Sequence, residues 1–358
     1  MSKNQNFKIL ITAVLIALFC AGQAFALPES IKIINKNADA VITLNFGEIY
    51  KYLKENKIEG PVETQASKIK NLMAIDILNE IKNFTIVMTD ISNYKLGKNP
   101  SGAFIFEGNF KQADIERKMV SGGTKFEEYA GSKLYKLGED LVLTVPSAGF
   151  LIYGNTREVK AMLEALLLIS NKKEVTDSIS KDEYYNNEIN QKEFADMKIY
   201  GFIKIPEPIS QLANKLAKFN SDQAMFENLK GVSFAGGKNT FLIKYNYTSK
   251  QAASDSIKKA AAFMETGFSQ LAGNSKKINE TEPTAVKVNA DRLNFAKAGI
   301  DLLLKMRPDM KIEAIEDALF IKFDLSKVTK ETAVFTNSIL TAFINPAPVP
   351  AKSPASGK

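Results

Sequence analysis

The sequence has 358 residues, 45% of them hydrophobic and 24% charged, with 47 Lys and Arg against 40 Asp and Glu for a net charge of +7. It holds no histidine, no tryptophan and a single cysteine, Cys20. These absences exclude Ser-His-Asp and Cys-His catalysis, imidazole metal sites and thiolate clusters, and a mild basic excess spread along the chain gives no concentrated face for nucleic acid.

Residues 1–26 read as a secretory signal peptide. Lys3 and Lys8 form the basic start, Ile9–Phe19 is apolar apart from Thr12, and Ala24-Phe25-Ala26 is a small-x-small cleavage site that leaves Leu27 as the new first residue. The apolar run falls short of the ~20 residues a membrane span needs. Phe19 stands before Cys20 where a lipid-attachment site wants a small residue, so Cys20 reads as part of the discarded peptide. The remaining 332 residues carry +5, no cysteine and no stretch apolar enough to span a bilayer. An exported chain without disulfides fits the bacterial envelope, periplasmic or at the cell surface.

Ala40–Phe46 is the first expected strand, broken by Gly47, and a short helix begins at Glu48–Leu53. Ile69, Leu72, Met73, Ile77 and Leu78 recur at helical spacing and predict a helix over Ala66–Ile81. Strands follow at Phe84–Ile91 and Ser101–Phe110, then an amphipathic helix at Lys111–Val120 that Gly122-Gly123 ends. Short turns at Gly138-Glu139-Asp140 and Pro146-Ser147-Ala148-Gly149 divide strands at Lys133–Leu137, Leu141–Val145 and Phe150–Tyr153, which makes antiparallel pairing the expectation. Asn155-Thr156 offers a side-chain oxygen to a helix striped by Val159, Met162, Leu163, Leu166 and Leu167.

Asn171–Asp196 is polar and reads as a separator between two halves. The second half has strands at Met197–Ile205, Gly231–Ala235, Thr240–Tyr247, Ala285–Val288, Ile312–Ile315 and Ala318–Phe323. Its helices are expected near Ile209–Phe219, Ser249–Leu271, Asp291–Met306 and Ser326–Phe343. Laid side by side, the halves repeat a strand, a helix, a strand pair and a further helix. The expected fold is α+β: two similar units, 27–180 and 181–344, each a mainly antiparallel sheet with amphipathic helices on one face. The Pro- and Ala-rich residues 345–358 cannot build a core and read as a solvated tail.

The strand closing on Gly108-Asn109-Phe110, its amphipathic helix, Tyr129, Lys133-Leu134-Tyr135, Leu141–Val145 and Phe150-Leu151-Ile152-Tyr153-Gly154-Asn155 before a helix form one motif set. In this layout the chain resembles a loose group of exported bacterial proteins of unknown function with duplicated α+β units. The resemblance implies an envelope protein and brings no catalytic residues.

Chemistry is sparse. Ser67-Lys68-Ile69-Lys70 and Ser256-Ile257-Lys258-Lys259 match S-x-x-K, without the K-T-G strand that serine–lysine chemistry also uses. Gly231-Val232-Ser233-Phe234-Ala235 approaches a nucleophile elbow but has no histidine base. Glu127-Glu128, Glu139-Asp140, Asp182-Glu183 and Glu313/Glu316-Asp317 are the carboxylates a hydrolase would need, and all read as solvated charges. The expectation is therefore a non-catalytic envelope protein without cofactor, metal or nucleic acid, binding a protein partner or an apolar ligand such as a lipid. In the ligand reading, Phe104, Phe106, Leu143, Tyr153, Phe241 and Ile243 line the site.

Overall fold

The computed structural model describes residues 28–92, 101–189, 199–211, 214, 225–237, 239–280 and 290–344. The expected signal peptide with Ala24, Ala26 and Leu27, the strand at Ala285–Val288 and the Pro-rich tail lie outside the described residues.

Alternating residues build the strands. In β1 (Ala40–Asn45), Val41 and Thr43 point to one face of the sheet and Ile42 and Leu44 to the other. Along the chain follow β2 (Ile81–Thr89), β3 (Ser101–Gly108), β4 (Phe126–Tyr129), β5 (Ser132–Lys136), β6 (Leu141–Ser147) and β7 (Phe150–Asn155). Then come β8 (Ile199–Lys204), β9 (Leu229–Gly236), β10 (Thr240–Tyr247), β11 (Lys311–Ile315) and β12 (Ala318–Asp324). All twelve join one antiparallel sheet in the order β11-β12-β10-β9-β8-β1-β2-β3-β7-β6-β5-β4. The expectation of a separate sheet for each half is thereby corrected. The first strand of each half pairs with the other across a seam, from Ala40 opposite Ile203 to Leu44 opposite Ile199. Outward from that seam the two sides run β1-β2-β3-β7-β6 and β8-β9-β10-β12-β11, the same order, with β5 and β4 extending the first side.

Nine helices are described along their length, and residues 207–211 add a further helical stretch; most of the expected helix at Ile209–Phe219 lies outside the described residues. The nine are α1 (Phe46–Glu55), α2 (Gly60–Met73), α3 (Ile77–Glu80), α4 (Gln112–Ser121), α5 (Thr156–Ser170), α6 (Glu183–Ile189), α7 (Lys250–Glu280), α8 (Ala290–Met306) and α9 (Thr329–Ile344). The expected helix over Ala66–Ile81 is split, because Ala74 turns left-handed at φ 58° and ends α2. The start of α5 also differs from expectation. Asn155 Oδ1 accepts from the Gly102 N–H at 2.8 Å, and the Thr156 N–H goes to the Asp140 carbonyl at 3.1 Å.

Helices cover both faces, which corrects the one-face expectation. On the first face α1, α2, α4, α7, α8 and α9 bring Ile49, Leu53, Val62, Ile115, Phe268, Leu302 and Phe335 onto Leu44, Phe84, Phe234, Phe241 and Phe323. On the second face Ile31, Ile33 and Ile34, Val159, Met162 and Leu163 of α5, and Ile179 and Tyr185 pack on Val87, Ile105, Ile152 and Phe202. Each such fully buried aliphatic side chain contributes roughly 1.5–3 kcal/mol. The stretch expected as a polar separator thus includes part of this cover. The Ile179 N–H bonds the Ile34 carbonyl at 2.7 Å and Ser178 Oγ bonds the Ile31 carbonyl at 3.0 Å.

Candidate functional site: a half-covered apolar face and a buried charge pair

Register places the six predicted ligand residues. Strand by strand, Phe104 lies opposite Tyr153, and Tyr153 opposite Leu143; on the other side of the seam Ile243 lies opposite Phe234 and Ile321. All four share one transverse row on the first face, joined through Ile86, Ile42 and Gly201. Phe106 and Phe241 fall in the next row, linked by Phe84, Leu44, Ile199 and Gly236. The structure divides the six by cover. Leu143, Phe241 and Ile243 are sealed in the core, whereas Phe104, Phe106 and Tyr153 are half-buried. Strands β3 and β10 stand five strand spacings apart, roughly 24 Å, so the six do not converge on one point.

The half-buried members form a stacked group. Ring centroids lie 5.8 Å apart for Phe84 and Phe104, 4.8 Å for Phe84 and Phe106, and 5.8 Å for Phe104 and Tyr153, with interplanar angles of 12°, 24° and 11°. Ile86 and Met88 beside them, and Ile203, Val232 and Tyr245 beyond the seam, are half-buried on the same face. Met88, Ala40, Ile203, Val232 and Tyr245 make a further transverse row. Reading single strands missed these five residues. Their alternation was visible, but the step that joins Met88 and Ala40 to Ile203, and so to Val232 and Tyr245, depends on the β1–β8 pairing.

A polar cluster that sequence reading did not assemble lies on the second face. Ser233 and Lys244 are directly opposed on β9 and β10. Lys244 Nζ donates to Glu188 Oε1 of α6 at 2.9 Å, with both side chains only 8% exposed. Ser233 Oγ donates to Glu188 Oε2, and Asn246 Nδ2 donates to Tyr184 Oη at 3.0 Å and Ser233 Oγ at 3.3 Å. Burial, with Glu188 nearby, pushes the Tyr184 phenol well above its ordinary range. Gly231 is required here, since a Cβ would sit 2.2 Å from Tyr184 Oη. The near-elbow around Ser233 is therefore a sealed contact that ties α6 to the sheet.

The Ser67–Lys70 motif lines an open cleft of about 260 Å³ with Glu63, Asp76 and Asn79. Lys70 Nζ is held by Asp76 at 2.6 Å, which raises its pKa, and Ser67 Oγ donates to the Glu63 carbonyl at 2.9 Å. A lysine kept charged in this way is a poor general base. Among the described residues no three metal-capable side chains gather, and no helix is long and apolar enough to cross a membrane.

No protein-family model matches the chain, and no curated protein matches it. Among solved structures, crystal form I of TP0453, a Treponema envelope protein, aligns at 11% identity and a TM-score of 0.36, covering 88% of this chain and 99% of that one. Crystal form III aligns at 12% identity and a TM-score of 0.40, covering 86% and 99%. A likeness at this level carries no argument about the present chain.

Proposed function

We propose that this chain is an exported, non-catalytic envelope protein, built by duplication of one α+β unit, that binds an apolar ligand such as a lipid acyl chain. The observation that carries the reading is the half-covered apolar face, where Phe104, Phe106 and Tyr153 stack beside Ile86 and Met88. Half-open aromatic surface is costly in water and is regained when an apolar molecule lies on it. Duplication is supported by the equal strand order on either side of the seam. Export is supported by the charge and hydropathy layout of residues 1–26. The non-enzymatic part rests on the missing histidine, the charged Lys70 and the sealed Ser233.

Native mass spectrometry of the chain from Leu27 to Lys358, purified without detergent, tests this. Extra mass with an acyl signature that leaves on denaturation is the expected result, and Phe104→Ser should reduce it. A bare protein mass that also takes up no added fatty acid would remove the ligand reading and leave a protein partner in its place.

A further inference from the structure

The last turn of α5 carries an exposed apolar tip. Leu167, Leu168 and Ile169 are 46%, 37% and 38% exposed, although three consecutive residues wrap more than half of a helix's circumference. Only one side of such a turn can face its own sheet, and Leu166 packs there. The helix then closes in a tight cap, with the Lys172 N–H on the Ile169 carbonyl at 2.9 Å and the Lys173 N–H on the Leu168 carbonyl at 2.8 Å. This cap puts Lys172 in the left-handed region at φ 57°, a position that favours glycine. Nearby acids are occupied: Glu174 pairs with Lys181 at 2.6 Å, Asp177 with Lys36 at 2.7 Å, and Glu164 accepts from Tyr129 Oη. Lys172 and Lys173 are exposed, and among the described residues neither has an ion-pair partner. Apolar side chains projecting beside unpaired lysines on a hydrogen-bonded cap are complementary to one kind of surface, in which hydrocarbon lies just beneath anionic headgroups.

We infer that the C-terminal tip of α5, Leu167–Lys173, docks the protein on an anionic phospholipid bilayer. This contact is separate from the sheet face argued above for a ligand and would stand without it. The apolar residues insert to the headgroup boundary while the two lysines meet phosphate. Co-sedimentation of the chain from Leu27 to Lys358 with vesicles of phosphatidylglycerol and phosphatidylethanolamine tests it, against vesicles of phosphatidylcholine alone. Binding is expected to the anionic vesicles only and to weaken as salt rises. Leu167→Ser/Leu168→Ser, on exposed positions, should lower binding at least about tenfold. Lys172→Gly should lower it about fivefold while leaving the melting temperature equal or higher, opposite signs that a purely structural lysine would not give. No sedimentation at low salt, equal binding to phosphatidylcholine, or binding that survives in the Leu167/Leu168 variant would each overturn the inference. So would a solution dimer that the same double substitution dissolves while vesicle binding stays absent, since the tip would then belong to a second copy.

Discussion

At the scale of single residues, the Glu188–Lys244 pair is the most consequential feature. Two charges drawn out of water cost several kcal/mol each, and their mutual attraction offsets this only with good geometry. Here Glu188 uses one oxygen on Lys244 and the other on Ser233. Lys244→Met should therefore cost about 3–5 kcal/mol by urea unfolding, because Glu188 stays buried and unpaired. Adding Glu188→Gln keeps an acceptor for Ser233 and removes the stranded charge, so the double variant should regain at least half of that loss. Equal costs for the single and double variants would contradict the pair as drawn. On the surface the electrostatics act through pH. Lys160 and Lys136 hold the Glu127 carboxyl down at about 2, from 4.5, and Lys70 and Lys133 lower Asp76 and Glu116 in the same direction. A carboxyl with a depressed folded-state pKa contributes stability above its unfolded pKa and loses it as pH falls through the folded value. Urea midpoints should thus fall from pH 4.5 down to about 2, and Glu127→Gln should make that fall slightly shallower. The exposure of Glu127 keeps its share small. None of these partnerships was legible in the sequence, where Lys244 is one lysine among many and Glu188 lies in a stretch that reads as solvated.

At the scale of elements, legibility followed locality. The hairpin closed by Gly138-Glu139-Asp140 stands where its turn residues placed it, because a short turn leaves few other pairings, whereas the next turns on Ala148-Gly149 alone: Pro146 and Ser147, expected in the turn, continue β6 past an irregularity, and Ser147 pairs with Phe150. Helices α4 and α5 followed from their apolar stripes, although Leu167, expected in the α5 stripe, is exposed where the last turn leaves the sheet. Strand β4 was not legible, since Phe126-Glu127-Glu128-Tyr129 is a polar edge strand whose pairing is set by β5. Nor was the break at Ala74, where an alanine adopts the left-handed cap that usually announces itself with glycine. The cap of α5 was assigned to the wrong side chain. Asn155 is spent on Gly102 and Asp140, and Asp140 Oδ1 reaches the Thr156 N–H at 3.3 Å while its carbonyl takes the same N–H. Asp140→Ala should therefore lower stability by about 1 kcal/mol or less, by freeing the Asn155 amide and leaving the Thr156 N–H on the backbone carbonyl of residue 140 alone. Asn155→Ala should loosen the Gly102 end of β3 instead, a difference that amide hydrogen exchange at Gly102 and Thr156 separates.

At the scale of the whole molecule, the question is whether the two halves behave as one folding unit. Their similarity alone would allow independence, as in stacked repeats. The contacts argue otherwise. Strand β1 hydrogen-bonds β8 along five residue pairs, and one apolar core on the first face runs from Ile115 and Leu151 to Phe323 and Phe335. Tyr52 Oη of α1 also donates to the Thr329 carbonyl at the start of α9 at 2.6 Å, across 277 positions of sequence. On the second face, the Lys204 N–H of β8 bonds the Asp39 carbonyl at 2.7 Å, and Lys204 Nζ donates to the Lys36 carbonyl at 3.4 Å. Separating the halves would strand β1 and β8 as long apolar edges, a state prone to aggregation. None of these links is local, and pairing across such a separation leaves no trace in turn residues or periodicity, which is why two sheets were the natural reading of the sequence. The chain from Leu27 to Lys358 should unfold in urea in a single transition, with helix content by circular dichroism and tyrosine fluorescence coinciding. A chain ending at Ile189 should lack that transition and associate through its bare β1 edge. Two resolved transitions in the intact chain, with the first half folding alone as a monomer, would show that the seam joins two independent domains and that the continuous sheet adds little to stability.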